Sequence, residues 1–215
     1  VHAILERDVR RMIAYSSVAQ IGYIYMGIGL GTQAGMVAAV FHIFTHSATK
    51  ALLFISAVGL YEVSGNRKDY ASLRGAAYRN PLAGIGFAVG SLSMVGFPML
   101  SGFISKLLFA TAALQSPHKM MPTLIGLAVS TVLNAIYFLR MVITLYTGGQ
   151  RGGAPSAAEP QAAGQTADSV PVGERPGTYW PARVAVICFI LLNLFLGLMS
   201  QPVVQAISDG LGMFD

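Results

Sequence analysis

Apolar residues run along this chain in long blocks, and the polar positions that break them are few and grouped. The blocks approach the ~20 residues that a helix needs to cross a bilayer's hydrocarbon core. The first predicted crossing runs from about Met12 to Gly31, and GTQAG makes a tight turn into a second, from about Ala34 to Leu60. A basic loop with Arg67, Lys68, Arg74 and Arg79 follows. From Leu82 to Leu114 the apolar pattern is interrupted at Gly96-Phe97-Pro98 and again at Ser101-Gly102. Proline there lacks an amide donor and clashes with the preceding turn, so the pattern predicts a broken helix. A further crossing is expected from about Pro122 to Tyr146, and the last from about Arg183 to Ile207. Between them, residues 148–182 are rich in Gly, Ala, Pro and Gln without hydrophobic period, which reads as a flexible linker. Tyr179 and Trp180, at its end, suit a membrane interface.

The broken stretch counts as one crossing or as a hairpin of two. Each half holds roughly 16 residues, short for a full span. As one crossing it puts Arg7, Arg10, Arg11, the basic loop, Arg151, Arg175 and Arg183 on one side, with Lys119 opposite. A hairpin would move the last three arginines across. The asymmetry of the first arrangement agrees better with the positive-inside rule. The expected fold is therefore an all-α integral membrane protein with five transmembrane crossings, the third a discontinuous helix. Residues 1–147 form the main membrane domain, and residues 183–215 a C-terminal transmembrane helix and tail.

Composition agrees: 54% of the 215 residues are hydrophobic and 11% charged, far from a soluble average. The net charge of +5 falls in the loops, where membrane topology accounts for it without a nucleic-acid partner. Cys188 is the single cysteine, which excludes a disulfide framework or a thiolate metal cluster. The opening VHAILERDVRR is too short and too charged for a signal peptide, and the chain is expected to be a fragment.

Three basic residues are left inside the apolar blocks: Lys50, Lys106 and Arg140. An ionised side chain at that depth costs several kcal/mol unless it faces protein or water. His42, His46 and Lys50 follow at i, i+4 and i+8, so each turns about 40° from the last and together they make a stripe roughly 12 Å long. Thr45 lies beside it. Histidine titrates near neutral pH, and a lysine that can be charged or neutral is a switchable proton store, so the stripe suits proton transfer. The bland alternative, hydrogen-bonding glue between helices, fits a lone histidine better than three groups in register. A zinc pair at His42 and His46 lacks a carboxylate, position 43 being isoleucine. A Schiff base on Lys50 lacks a counter-ion in any crossing. Lys106 follows the broken PMLSGFISK segment, where freed backbone groups must line a cavity or meet other protein. Arg140 lies toward the cytoplasmic end of its helix, where snorkelling or fixed-charge tuning suits it. Ser16, Gln20 and Tyr23 give the first crossing a lesser polar face for helix contacts or water.

ERDVRRMIAYSSVAQIGYI, FHIFTHSATKALLF and SMVGFPMLSGFISK, in that order, resemble the antiporter-like membrane subunits of respiratory complex I. The family extends to the large subunits of Mrp-type Na+/H+ antiporters and of membrane-bound hydrogenases. The resemblance covers roughly Glu6 to Tyr146, the linker and last crossing matching only in general character. It implies a bundle of about fourteen helices with two inverted repeats, each holding a broken helix, of which this chain carries most of the second. It further implies that Lys50 is the central-axis lysine, His42 and His46 its connecting partners, and Lys106 the broken-helix residue of the outer half-channel. The loop with Asp8 and Arg10 would be cytoplasmic. The first repeat, with its glutamate–lysine pair, is outside this chain, which puts autonomous transport in doubt. The expected function is that of a proton-translocating subunit, with sodium/proton exchange left open, in the cytoplasmic (inner) membrane among other membrane subunits. Neither cofactor nor metal is expected in this chain, the family's redox centres lying in other subunits. The alternatives are a structural or assembly subunit without ion conduction, and an independent solute carrier, which would need complete inverted repeats.

Overall fold

The computed structural model describes residues 2–148 and 179–212, apart from the side chain of Tyr179. Most of the predicted linker, 149–178, therefore lies outside the described residues. Among these the chain is all helical: α1 (His2–Leu5), α2 (Val9–Leu30), α3 (Gln33–Glu62), α4 (Ala76–Arg79), α5 (Pro81–Val95), α6 (Ser101–Leu114), α7 (Pro117–Tyr146), α8 (Tyr179–Leu198) and α9 (Ser200–Gly212).

Local chemistry sets the ends. Asp8 caps α2, its carboxylate accepting from the amides of Arg10 and Arg11 at 2.8 and 3.3 Å. Gly31, at φ 69°, closes the helix in the left-handed region, and Thr32 caps α3 through the Gly35 amide. With no proline before Pro81, nothing interrupts the 30 residues of α3. Asn80 caps α5 and Pro81 opens it, pre-set for the first helical position. Helix α7 starts at Pro117, earlier than the expected Pro122, which sits within it. A proline so near the start removes a single in-helix bond and is tolerated.

Helices α3, α7 and Trp180–Leu198 of α8 are long and apolar enough to cross a membrane. Helix α2 is long enough at 22 residues but more polar, and α5 and α6, at 15 and 14 residues, are shorter. The sequence reading needs two corrections. First, the interruption of the apolar stretch is at residues 96–100 alone; Ser101 and Gly102 begin α6. Second, the last block does not continue as one helix to Ile207 but ends at Leu198. Twenty residues already rise about 30 Å, the hydrocarbon thickness. Beyond them Val203, Val204, Ile207 and Leu211 form one half-buried stripe, with Gln201, Gln205 and Asp209 exposed on the other. Pro202 suits the first turn of such a separate amphipathic helix and would clash inside a continuous one.

Helix α3 is the centre, packed against α2, α5, α6, α8 and α9. Met12, Ile13, Leu53, Phe87, Phe138, Met141 and Leu145 are fully buried in the main apolar core, which joins α2, α3, α5 and α7. Tyr23, Ala38, Phe109 and Leu127 form a smaller cluster beside the histidine stripe. Outward faces stay apolar: Ile125, Val129, Val132 and Ile136 on α7, Leu191 and Phe195 on α8. Such faces need lipid or another helix rather than water.

Candidate functional site

The break between α5 and α6 is built from its backbone outward. Gly96 adopts φ 94°, and its amide and that of Phe97 take the carbonyls of Leu92 and Ser93. That leaves the last carbonyls of α5, those of Met94 and Val95, without a helix donor. The Lys106 ammonium reaches back from α6 and donates to both, at 3.1 Å for Met94 and at a shorter contact for Val95. A cation at the negative end of a helix is favourably placed, so Lys106 caps the half-helix that the break truncates.

The α3 stripe faces the same region. His42 and His46 stack with ring centroids 5.9 Å apart, and Tyr23 meets His42 edge-on at 5.5 Å. His42 Nδ1 lies 2.7 Å from the hydroxyl of Ser105, the residue before Lys106. A cavity of about 10 Å³ is lined by Gln20, His42, Thr45, His46, Thr49, Ser93, Met94, Gly102 and Lys106. That is about the room one water needs, and among the described residues its lining carries no carboxylate. His42 Nε2, His46 Nδ1 and Gln20 Nε2 are buried without a hydrogen-bond partner among the described residues. Buried polar atoms rarely stay unsatisfied, so a water in this cavity would suit them.

Of the predicted residues, Lys50 and Arg140 lie away from the cavity, while Thr45 lines it. Lys50, 7% exposed, turns from the cavity to α2, where its ammonium donates to the Ile13 carbonyl and the Ser16 hydroxyl. Ser16 in turn donates to the Ile13 carbonyl at 2.8 Å. Thr45 spends its hydroxyl on the His42 carbonyl of its own helix, at 3.1 Å. Arg140 is remote from the cavity: its guanidinium donates to the Ile4 carbonyl at 3.5 Å and lies 5.1 Å over the Tyr70 ring. Burial pushes the Tyr70 phenol up, and Arg140 works against that shift.

Ser105 and a buried set of Thr49, Ser93, Ser101 and Asn193 were not singled out from the sequence. Serine and threonine are ordinary in membrane helices and give no signal. Asn193 did carry one, as the lone amide in the apolar run from Trp180 to Leu198.

A sequence profile of the family described as NADH:quinone oxidoreductase/Mrp antiporter, TM, matches residues 1–134. NADH-quinone oxidoreductase subunit N of Desulforudis audaxviator is 34% identical over 210 residues, covering 94% of this chain and 40% of that protein. Subunit L of Buchnera aphidicola is 35% identical over 149 residues, covering 69% of this chain and 24% of its own length. Among solved structures, a chain of the Mrp complex from Dietzia sp. DQ12-45-1b shares the fold with TM-score 0.77 at 23% identity, over 96% of this chain and 42% of that one. A chain of respiratory complex I from Thermus thermophilus with bound aureothin gives 0.66 at 26%, over 96% and 42%. This chain thus spans less than half the length of the proteins it matches.

Proposed function

Because this chain belongs to the NADH:quinone oxidoreductase/Mrp antiporter transmembrane family, we propose that it forms the proton-conducting second half of an antiporter-like subunit. It works within a multi-subunit complex of the cytoplasmic membrane, with other membrane subunits and lipid around it. In this reading α2, α3, α7 and α8 cross the bilayer, and α5 and α6 together make one discontinuous crossing. Residues 1–147 are the conducting domain, and residues 183–215 a terminal helix and tail. The chain holds no redox cofactor of its own.

The observation that carries the reading is the shared cavity, which brings His42 and His46 of α3 to Lys106 of the broken helix. Lys50 is the inner proton store, held on α2 by the Ile13 carbonyl and Ser16. His46 lies one turn from it, stacks on His42, and His42 reaches Ser105. Each imidazole can accept a proton on one nitrogen and release it from the other, the Ser105 hydroxyl can relay one, and Lys50 takes up and releases its proton at the same nitrogen, directly or through a cavity water. Lys106 receives the proton at the break, where the Met94 and Val95 carbonyls stabilise its charged form. Sodium, for the antiporter branch, is the alternative coupled ion.

The test is Lys50→Ala and Lys106→Ala in the full-length subunit, with proton translocation measured per assembled complex. Each is expected to remove most of the translocation while complex abundance stays near normal. Unchanged translocation would end the conduction reading. Lower abundance with normal translocation by the surviving complexes would favour a structural subunit instead.

A further inference from the structure

Asn193 lies on α8, beyond the matched 1–134, and is fully buried. Its side-chain oxygen accepts from three hydroxyls: Thr49 at 2.8 Å, Ser93 at 3.0 Å and Ser101 at 2.8 Å. Its amide nitrogen donates to the Phe189 carbonyl of its own helix at 3.1 Å, which fixes the oxygen toward the other helices. The three hydroxyls come from three places that matter. Thr49 precedes Lys50 on α3, Ser93 lies in the last turn of α5, and Ser101 is the first residue of α6. Ser93 also accepts the Gly102 amide at 3.2 Å, a donor left free at the start of α6. Thr49, Ser93 and Gly102 line the cavity with Lys106.

One helical turn further, Gly197 lies on the same face of α8. A Cβ there would come within 2.1 Å of the Met99 carbonyl and 2.7 Å of the Leu100 carbonyl carbon. Helix α8 therefore touches both ends of the break through Asn193 and its middle, at van der Waals limit, through Gly197. Met99 itself is held at φ 72°, unusual for a residue with a side chain.

We propose that Asn193 is a positioning residue for Lys106: through Thr49, Ser93 and Ser101 it locks the two half-helices and α3 in the register that holds the Met94 and Val95 carbonyls at the lysine. This rests on the proposed role of Lys106 in conduction. The amide oxygen is the shared acceptor, so its loss leaves the three hydroxyls only their longer contacts with one another, Ser93 to Thr49 at 3.4 Å and to Ser101 at 3.2 Å, and lets the ends of α5 and α6 move. The proton affinity of Lys106 depends on the carbonyls it meets, so their movement changes the pH at which it exchanges.

The experiment compares Asn193→Leu, Asn193→Asp and Lys106→Ala in the full-length subunit within its assembled complex. Abundance and the pH profile of proton translocation are read for each. Asn193→Leu, close in volume but without an acceptor, is expected to lower translocation about ten-fold per complex and move the profile's midpoint. Asn193→Asp, which keeps an acceptor oxygen at the same position, is expected to recover most of that loss. A wild-type rate and midpoint in Asn193→Leu would overturn the proposal. So would a profile scaled down at an unchanged midpoint without recovery by aspartate, because a merely structural amide gives that result. If Asn193→Leu fails to assemble, Ser101→Ala removes one hydroxyl and is read the same way: a moved midpoint supports the proposal and an unmoved one overturns it. Normal translocation by Lys106→Ala would instead remove the reading beneath the proposal, whatever Asn193 does.

Discussion

Gly96 shows how much one residue at the break decides. Its φ of 94° is costly for any residue with a Cβ, by roughly 1–2 kcal/mol. An added Cβ would also lie 2.9 Å from Lys106 Cδ and 3.2 Å from its Nζ. Gly96→Ala should therefore push the ammonium off the Met94 and Val95 carbonyls. The expected outcome is a complex of near-normal abundance whose proton translocation, measured per assembled complex, falls toward that of Lys106→Ala. At this scale the sequence singled out polar residues inside the apolar blocks but did not show where they point. The i, i+4, i+8 spacing implied one stripe for His42, His46 and Lys50, yet Lys50 turns to α2 while the histidines face the cavity. Flexible side chains of four carbons choose partners over several ångströms, which spacing along one helix does not encode. The hydroxyls around Asn193 were invisible for a different reason: they lie on three helices and meet the amide of a fourth, and only tertiary packing assembles them.

Among the elements, α2 depends most plainly on its cap. Asp8 satisfies two of the amides that open the helix, and Ile13 and Ser16, within about the next two turns, hold Lys50. Asp8→Ala should cost about 0.5–2 kcal/mol of stability. Thermal unfolding of the purified protein in detergent would show it as a lower midpoint, and an unchanged midpoint would mean that tertiary contacts alone fix the start of α2. Helix boundaries were legible in the sequence where glycine punctuates the pattern, as at Gly31 and Gly96, but not at Pro117, where α7 begins before the expected Pro122. They were misread where apolar residues continue past a change of period. From Ser200 onward valine and isoleucine persist, but on one face only, and Pro202 sits where a new helix begins rather than inside an old one.

Among the described residues the molecule is apolar on its outer faces as well as in its core, with a buried polar cluster between the helices, unlike a protein folded in water. Val129, near the middle of α7, is 54% exposed. Val129→Arg should raise the cost of membrane insertion by about 2.5–3.5 kcal/mol, read as the inserted fraction in a translocation assay. Efficient insertion of that variant would mean that this face meets water or a polar partner. At the molecule's axis, α3 carries Thr49 and Lys50 side by side, and adjacent residues of a helix point about 100° apart. Thr49 is tied to Asn193 on α8, and Lys50 to Ile13 and Ser16 on α2. The helix is thus a shaft anchored on two flanks at a single level. A twist that released the lysine would also drag on the junction of α5 and α6, so the two ends of the proposed conducting path would be geared together by torsion.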